Sequence, residues 1–186
     1  MQALTKYQSG GSDVLMGALV TRDAALNERL AMAHMRLGMG VSADDAYLVM
    51  RGLPSMKLRF EAHDASARKI AAWLKARPEI TKVLHPAFED CPGHETWKRD
   101  FTGAGGLFSV LFDPRYSEEQ TDRFVDSLKL FGIGYSWGGA NSLVMPYRIQ
   151  AMRKNWHDGG MLVRFNIGLE DTSDLIADLE QALGKL

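Results

Sequence analysis

Residues 105–137 read GGLFSVLFDPRYSEEQTDRFVDSLKLFGIGYSW, and they set the architecture of the chain. Their first part, 105–112, is an apolar run bounded by turn residues, which predicts a buried strand. Ser117 and Gln120 have the spacing of a capping box, so a helix is predicted to begin there. Gly132 predicts the end of that helix, and the residues after it predict a second strand. A strand, a helix and a strand in such close succession indicate an α/β layer.

Elements of the same two kinds flank this unit. The predicted helix has three inward-facing side chains, Phe124, Leu128 and Phe131. Hydrophobic periodicity and end signals predict four further elements: strands at 82–85 and 162–167, and helices at 94–101 and 171–183. We therefore predict that the C-terminal half is a mixed α+β layer with a helix-backed, mostly antiparallel sheet.

One long amphipathic helix is predicted over 55–77, before this layer. Charged residues fill one side of the pattern, and Pro78 ends it. The apolar side consists of Phe60, Ala67, Ile70, Ala71 and Leu74. We interpret this helix as the connector between an N-terminal part, 1–54, and a C-terminal part, 78–186.

The N-terminal part is predicted to contain one strand and two helices. The apolar run at 14–20 follows a Gly/Ser turn and predicts a buried strand. Apolar residues at helical spacing over 21–37, with Gly38 as C-terminal cap, predict the first helix. Ser42 predicts the start of a shorter helix. This helix is predicted to end near Arg51-Gly52, because Pro54 disfavours helical geometry at Leu53.

Composition excludes several classes of function. The chain has 186 residues with 22 Lys+Arg and 23 Asp+Glu, so a net charge of -1 gives no electrostatic basis for binding nucleic acid or an anionic membrane. The apolar runs fall short of the ~20 residues that span a bilayer, and the first residues lack a signal-peptide pattern. The one cysteine, Cys91, cannot form an internal disulfide, which favours the reducing cytoplasm. The five histidines lack metal-ligand spacing, so no metal site is expected.

The first of three candidate sites is the segment 5–13, TKYQSGGSD. Lys6 lies between the hydroxyl-bearing residues Thr5 and Tyr7, before a Gly-rich turn. Such a lysine can hold a carbonyl cofactor as a Schiff base, provided that burial lowers its pKa. The alternative is a surface lysine near a chain end, since lysines are mostly exposed.

The second candidate is the segment 135–143, YSWGGANSL. A strand that ends in Ser136 and Trp137 before two glycines leaves backbone N–H groups and a hydroxyl free for an anion. The alternative is an ordinary tight turn with a packed tryptophan.

The third candidate is the segment 163–171, VRFNIGLED. Alternation along a strand places Arg164 and Asn166 on the face opposite the apolar side chains. A semi-buried arginine requires an anion, and its planar guanidinium suits a carboxylate. The alternatives are a structural salt bridge to Glu170 or Asp171 and a solvated sheet face.

In this order, the three clusters resemble the pyridoxal-phosphate-dependent Cys/Met-metabolism family, the trans-sulfuration enzymes, and in particular its cystathionine β-lyase branch. The family's lysine segment reads Thr-Lys-Tyr-x-x-Gly-His-Ser-Asp, which corresponds to 5–13 here. Four further motifs match in order: Arg51-Gly52-Leu53, Pro92-Gly93-His94, Ser136-Trp137-Gly138-Gly139 and 164–171. The resemblance covers essentially the whole chain.

The resemblance implies a fold of the type I aminotransferase-like class. Segment 1–54 would be a remnant of the large domain that binds pyridoxal phosphate and carries the lysine. Segment 55–77 would be the connecting helix, and 78–186 the small domain. It also implies a cytoplasmic homo-oligomer, which would be a tetramer of the complete enzyme. Alternatively, this chain would pair with an N-terminal half chain.

The resemblance also implies a role for each site residue. Lys6 would be the Schiff-base lysine and the general acid and base, and Thr5 would contact the cofactor phosphate. Arg164 would bind the substrate α-carboxylate, aided by Ser136 and Trp137. The implied reaction is β-elimination from L-cystathionine or a related cysteine conjugate, which releases a thiol, pyruvate and ammonia.

Three alternatives remain open at this point: a γ-lyase, an O-acetylhomoserine sulfhydrylase, and a non-catalytic remnant or split-enzyme module. Trp137 favours β-lyases, because the γ-acting relatives more often carry leucine there. The chain departs from the family at Gly11, Ala3 and Asn141, where His, Ser and Glu are usual. The family's phosphate loop, the aromatic residue that stacks on the cofactor and the aspartate that pairs with its ring do not precede Lys6. The isolated chain is therefore expected to have little or no activity.

Overall fold

The structure, a computed structural model, describes all residues from 1 to 186. Its strands are β1 (Gln2–Ala3), β2 (Gly17–Ala18), β3 (Ile80–Leu84), β4 (Leu107–Phe112), β5 (Gly132–Ile133), β6 (Leu143–Tyr147) and β7 (Leu162–Asn166). Its helices are α1 (Ala24–Arg36), α2 (Ala43–Gly52), α3 (Met56–Lys75), α4 (His94–Asp100), α5 (Glu118–Asp126), α6 (Ile149–Met152) and α7 (Thr172–Leu183). A 3₁₀ turn, Leu53–Ser55, joins α2 to α3 around Pro54.

The five strands β3 to β7 form one sheet in the order β3-β4-β7-β6-β5. All neighbouring pairs are antiparallel except β5 and β6, which run parallel. This arrangement confirms the predicted mostly antiparallel sheet. The last strand of the chain, β7, therefore lies at its centre.

Helices cover one face of this sheet and form the core with it. The inner side chains Val163 and Phe165 of β7, and Ile167 directly after it, are fully buried, as the alternation predicted. They share one hydrophobic cluster with residues of α3, α5 and α7. The members from the two longest of these helices are Ala67, Ile70, Ala71, Leu74, Leu175, Leu179, Ala182 and Leu183. The predicted long helix and closing helix are thus confirmed, and both back the sheet.

Side chains fix the helix ends where the sequence predicted them. The Ser42 hydroxyl accepts a hydrogen bond from the Asp45 N–H at 3.0 Å, which caps α2. At α5 the capping box is complete, because the Ser117 hydroxyl accepts from the Gln120 N–H while the Gln120 side chain accepts from the Ser117 N–H.

The predicted length of α5 is wrong, since the helix ends at Asp126 rather than at Gly132. The buried carboxylate of Asp178 accepts hydrogen bonds from the backbone N–H groups of Lys129 and Leu130. These bonds satisfy donors that a longer helix would have used internally.

Two strand predictions in the second half are also corrected. The strand predicted over 133–137 is only the two-residue β5, after which the chain turns at Gly138. The strand β6 was not predicted, since its Pro146 argues against a strand inside a sheet. Residues on both sides of Pro146 pair with β7, so the proline is accommodated in an otherwise regular antiparallel ladder.

The buried strand predicted at 14–20 is wrong. Only Gly17 and Ala18 pair with another segment, the short β1, because no strand longer than β1 lies beside them. Val14 is buried, but Leu15 is 93% exposed and Val20 86% exposed. The N-terminal part thus presents an apolar surface, to which Leu26 and Met35 of α1 and its C-cap, Leu37, also contribute. No helix of the structure combines the length and the apolar character that crossing a membrane requires.

Candidate active site

The side chain of Lys6 contacts the second candidate cluster. Its Nζ donates a hydrogen bond to the Ser136 hydroxyl at 2.9 Å, across 130 residues of sequence. The same Nζ lies 4.1 Å from the centre of the Trp137 ring, within the range of a cation–π contact. The structure therefore brings the first two clusters together at one amine.

The backbone around Lys6 is held on both sides. The Thr5 hydroxyl accepts a hydrogen bond from the Met16 N–H at 3.0 Å, which ties the segment to β2. The guanidinium of Arg59, on α3, donates to the Tyr7 carbonyl at 2.8 Å and to the Gly52 carbonyl at 2.8 Å. Thr5 thus lies beside the lysine but bonds to the main chain, and its phosphate contact remains a prediction.

Gly138 connects this segment to the third cluster. Its N–H donates to the side-chain oxygen of the buried Asn166, at 3.1 Å. Its φ is +79°, and a Cβ built on it would lie 2.8 Å from the Tyr7 nitrogen. Only glycine allows the turn after Trp137 to pass this close to the backbone that follows Lys6.

Replacing Gly138 by alanine is expected to destabilise the protein and to displace Lys6 from Ser136. The matched control is Gly93→Ala, because Gly93 has a φ of +84° and open space around its Cβ position. Both variants incur the cost of a left-handed alanine, about 1–2 kcal/mol. Gly138→Ala should cost about 1–3 kcal/mol more, from the overlap with Tyr7. Urea unfolding measures the difference, and equal losses would contradict the close-contact argument.

Arg164 projects from the face of β7 opposite the core and is half-buried. None of the seven ion pairs in the structure includes it. Glu170 instead accepts from the backbone and hydroxyl of Ser142, at 2.7 and 2.9 Å. Asp171 caps α7. The alternative of a structural salt bridge is therefore wrong, and one guanidinium nitrogen, Nη2, is buried without a hydrogen-bond partner.

The sequence placed Tyr7 in the first candidate segment but indicated neither its contacts nor the participation of His63. The Tyr7 hydroxyl accepts from the Gly106 N–H at 2.8 Å, and its ring packs against Phe60 and His63. His63 is fully buried on α3, and its Nδ1 lies 2.7 Å from the Ile167 carbonyl oxygen. Burial lowers the pKa of His63. The helical spacing of Phe60, His63 and Ile70 was the signal that could have revealed this histidine.

The surroundings of Lys6 leave open space beside its amine. An open cavity of about 700 Å³ is lined by Lys6, Thr5, Tyr7 and Trp137, together with residues of β1 and β2. The amine is hydrogen-bonded to a neutral hydroxyl, and no carboxylate forms an ion pair with it. A carbonyl group that enters this cavity therefore meets an amine that is not paired with an acidic side chain. The site residues fit pyridoxal phosphate in this respect.

Comparisons with known proteins show the family of the chain. The profile of the family described as "Cys/Met metabolism PLP-dependent enzyme" matches residues 1–184. A cystathionine β-lyase of Bordetella avium is 44% identical over 185 residues, which are 97% of this chain and 46% of that protein. An L-alanine/L-glutamate racemase of Wolbachia pipientis is 40% identical over all of this chain and 47% of its own length.

The fold also matches solved structures. A cystathionine γ-synthase of Xanthomonas oryzae, in complex with aminoacrylate and cysteine, superposes with a TM-score of 0.89 and 32% identity. The match covers 98% of this chain and 49% of that one. The aminotransferase-like fold that the resemblance implied is thus confirmed, and the chain spans about half the length of the relatives it matches.

Proposed function

Because the chain belongs to the pyridoxal-phosphate-dependent enzymes of Cys/Met metabolism, we propose that it supplies the catalytic lysine and the substrate arginine of a carbon–sulfur β-lyase. The substrate would be L-cystathionine or a related cysteine conjugate, cleaved to a thiol, pyruvate and ammonia. The contact of the Lys6 amine with Ser136, beside the Trp137 ring, is the observation that supports this proposal most directly.

The cofactor and the protein divide the chemistry. Pyridoxal phosphate, when bound, withdraws electrons from the substrate Cα and so makes its proton removable. Lys6 holds the cofactor and, in its free amine form, accepts the Cα proton. The Ser136 hydroxyl accepts a hydrogen bond from the amine and so fixes the direction of its nitrogen. The electron pair left at Cα then forms the Cα=Cβ double bond as the Cβ–S bond breaks, and the sulfur leaves as a thiolate that a proton converts to the thiol. The released aminoacrylate tautomerises to an imine, and one water molecule hydrolyses the imine to pyruvate and ammonia.

Arg164 orients the substrate in this proposal. Its guanidinium has a free, buried N–H group, and a planar guanidinium binds a carboxylate through two parallel hydrogen bonds. The substrate α-carboxylate would occupy this place, with Ser136 and Trp137 beside it. Thr5 would contact the cofactor phosphate.

We also propose how the chain is organised and what it contacts. Segment 1–54 belongs to the cofactor-binding domain, 55–77 connects, and 78–186 is the small domain. The exposed apolar surface of the N-terminal part supports packing against polypeptide that corresponds to the rest of its relatives, within a homo-oligomer. The single free thiol of Cys91 supports a location in the reducing cytoplasm.

Racemisation is a second candidate function. The Wolbachia racemase is nearly as similar to this chain as the β-lyase is. Racemisation also begins with removal of the Cα proton, so Lys6 serves either reaction. A γ-elimination is the third candidate, and the product distinguishes all three.

A chimaera tests the proposal. In it, this chain replaces the segment of the Bordetella avium cystathionine β-lyase that it matches. We expect pyruvate from L-cystathionine, with the parent enzyme as positive control and the parent enzyme without this segment as negative control. Formation of 2-oxobutyrate would support γ-elimination instead, and D-alanine from L-alanine would support racemisation. A folded chimaera that binds the cofactor but turns over none of these substrates would contradict the proposal.

A further inference from the structure

The guanidinium of Arg164 lies against the ring of Tyr147. Its Cζ is 5.4 Å from the ring centre, within the range of a cation–π contact. The two residues come from neighbouring strands, β7 and β6, where Arg164 is opposite Met145 and Tyr147 is opposite Leu162. They are therefore diagonal neighbours on the face of the sheet that points away from the core.

The ring replaces the partner that a semi-buried arginine usually requires. Arg164 forms no ion pair, and its Nη2 is buried without a hydrogen bond. A ring face attracts the flat side of a guanidinium, whereas the N–H donors lie in the guanidinium plane. Tyr147 can therefore hold the charge while the donors remain free. A carboxylate partner within the protein would instead occupy the donors that a substrate needs.

A second ring connects this arginine to the lysine. Tyr135 packs edge-on against Tyr147, with ring centres 6.1 Å apart and an interplanar angle of 72°. Tyr135 directly precedes Ser136, whose hydroxyl contacts the Lys6 amine. The chain of contacts from Arg164 through both rings to Ser136 thus joins the two charged groups of the site.

We propose that Tyr147 is a positioning residue, which holds the Arg164 guanidinium ready for the substrate carboxylate and, with Tyr135, sets its distance from Lys6. This inference rests on the proposed function only in assigning the carboxylate to Arg164. The position of the guanidinium itself can be tested without turnover.

Chemical modification of arginine by phenylglyoxal tests the position directly. The protein and its variants are treated under limiting reagent, and mass spectrometry measures the modification rate at Arg164. We expect a several-fold faster rate in Tyr147→Leu, because its guanidinium loses the covering ring, and an unchanged rate in Tyr147→Phe, which retains a ring. Arg77 is the internal control, since its guanidinium lies 4.6 Å from the Trp73 ring, a contact of the same kind.

The outcomes separate position from general loosening. A rise at Arg164 alone, restored by phenylalanine, supports the proposal. An equal rate at Arg164 in the leucine variant and in the unchanged protein would overturn it. A parallel rise at Arg164 and Arg77 would also overturn it, because the substitution would then have loosened the fold as a whole.

Kinetics of the chimaera test the consequence for substrate binding. Loss of a contact of this strength should raise KM for L-cystathionine about five- to tenfold in Tyr147→Leu, with kcat changed less than about twofold. Tyr147→Phe should restore KM. A fall in kcat at unchanged KM would contradict the positioning role. Absence of turnover in every variant would contradict the proposed function, and the modification rates would still decide where Arg164 is held.

Discussion

Lys6→Ala is expected to abolish both covalent attachment of pyridoxal phosphate and lyase activity of the chimaera. Loss of the proton acceptor alone accounts for about 10²–10⁴-fold in rate. Reduction with borohydride followed by peptide mass spectrometry should find the cofactor bonded to Lys6 in the unchanged chimaera and nowhere in the variant. Pyruvate formation measures activity in the same samples.

Lys6→Arg is the matched control for this prediction. Arginine keeps the positive charge, can donate to the Ser136 hydroxyl and can stack on Trp137, but it is not deprotonated in proteins. If the lysine served only as a charge, the arginine variant would retain activity. We expect both variants to fold and to be inactive, because each lacks an amine that forms a bond to the cofactor and accepts a proton. Trapping of the cofactor on another lysine would contradict the assignment of Lys6.

The stability of the protein is expected to fall in mild acid because of His85. Its side chain is fully buried, and its ring stacks on Phe88, with ring centres 5.0 Å apart. Burial, together with the smaller effect of the nearby Arg68 charge, lowers the pKa of His85 from 6.5 to about 4. The unfolded chain therefore binds a proton at His85 at a higher pH than the folded chain does.

The sign follows from this difference in proton binding. Between pH 6.5 and 4, the unfolded state takes up the proton first, so the free energy of unfolding decreases as the pH falls. This difference between the two pKa values corresponds to about 3 kcal/mol in the free energy of unfolding. That contribution is fully present above pH 6.5 and lost at pH 4. Urea unfolding at several pH values measures the slope.

His85→Phe should remove most of this slope, since phenylalanine preserves an aromatic ring but does not titrate. The slope is the diagnostic quantity, whatever the variant does to stability at neutral pH. His157→Phe is the control, because His157 is exposed and its replacement should leave the slope unchanged. An unchanged slope in His85→Phe would show that other groups cause the acid sensitivity.

Much of the fold could be predicted from local signals. Local patterns predicted the caps at Ser42 and Ser117 and the apolar period of α3, because each of these features depends on residues only a few positions apart. The failures depend on distant partners. The run at 14–20 has strand composition but only β1 to pair with, and β6 forms despite Pro146 because β7 lies beside it.

The site could be predicted only in part, and the order of its motifs along the chain was more informative than any local pattern. No local pattern predicts that Lys6 bonds to a serine 130 residues away, and only the combined order of motifs indicated that the two belong together. The alternation along β7 correctly placed Arg164 and Asn166 on one face. It did not reveal that Asn166 holds the Gly138 turn or that Tyr147 covers the guanidinium, since both contacts depend on the strand order.

The central place of β7 has a consequence for biosynthesis. Of the five strands in the sheet, β7 leaves the ribosome last, yet β4 and β6 each pair with it and not with each other. The 50 residues from Phe112 to Leu162 take about 3–10 s to translate, during which β3 and β4 can form only a hairpin. Arg164 arrives on the same strand. A nascent chain therefore acquires its complete sheet and Arg164, the proposed substrate arginine, in a single late event, and a chain released earlier has neither.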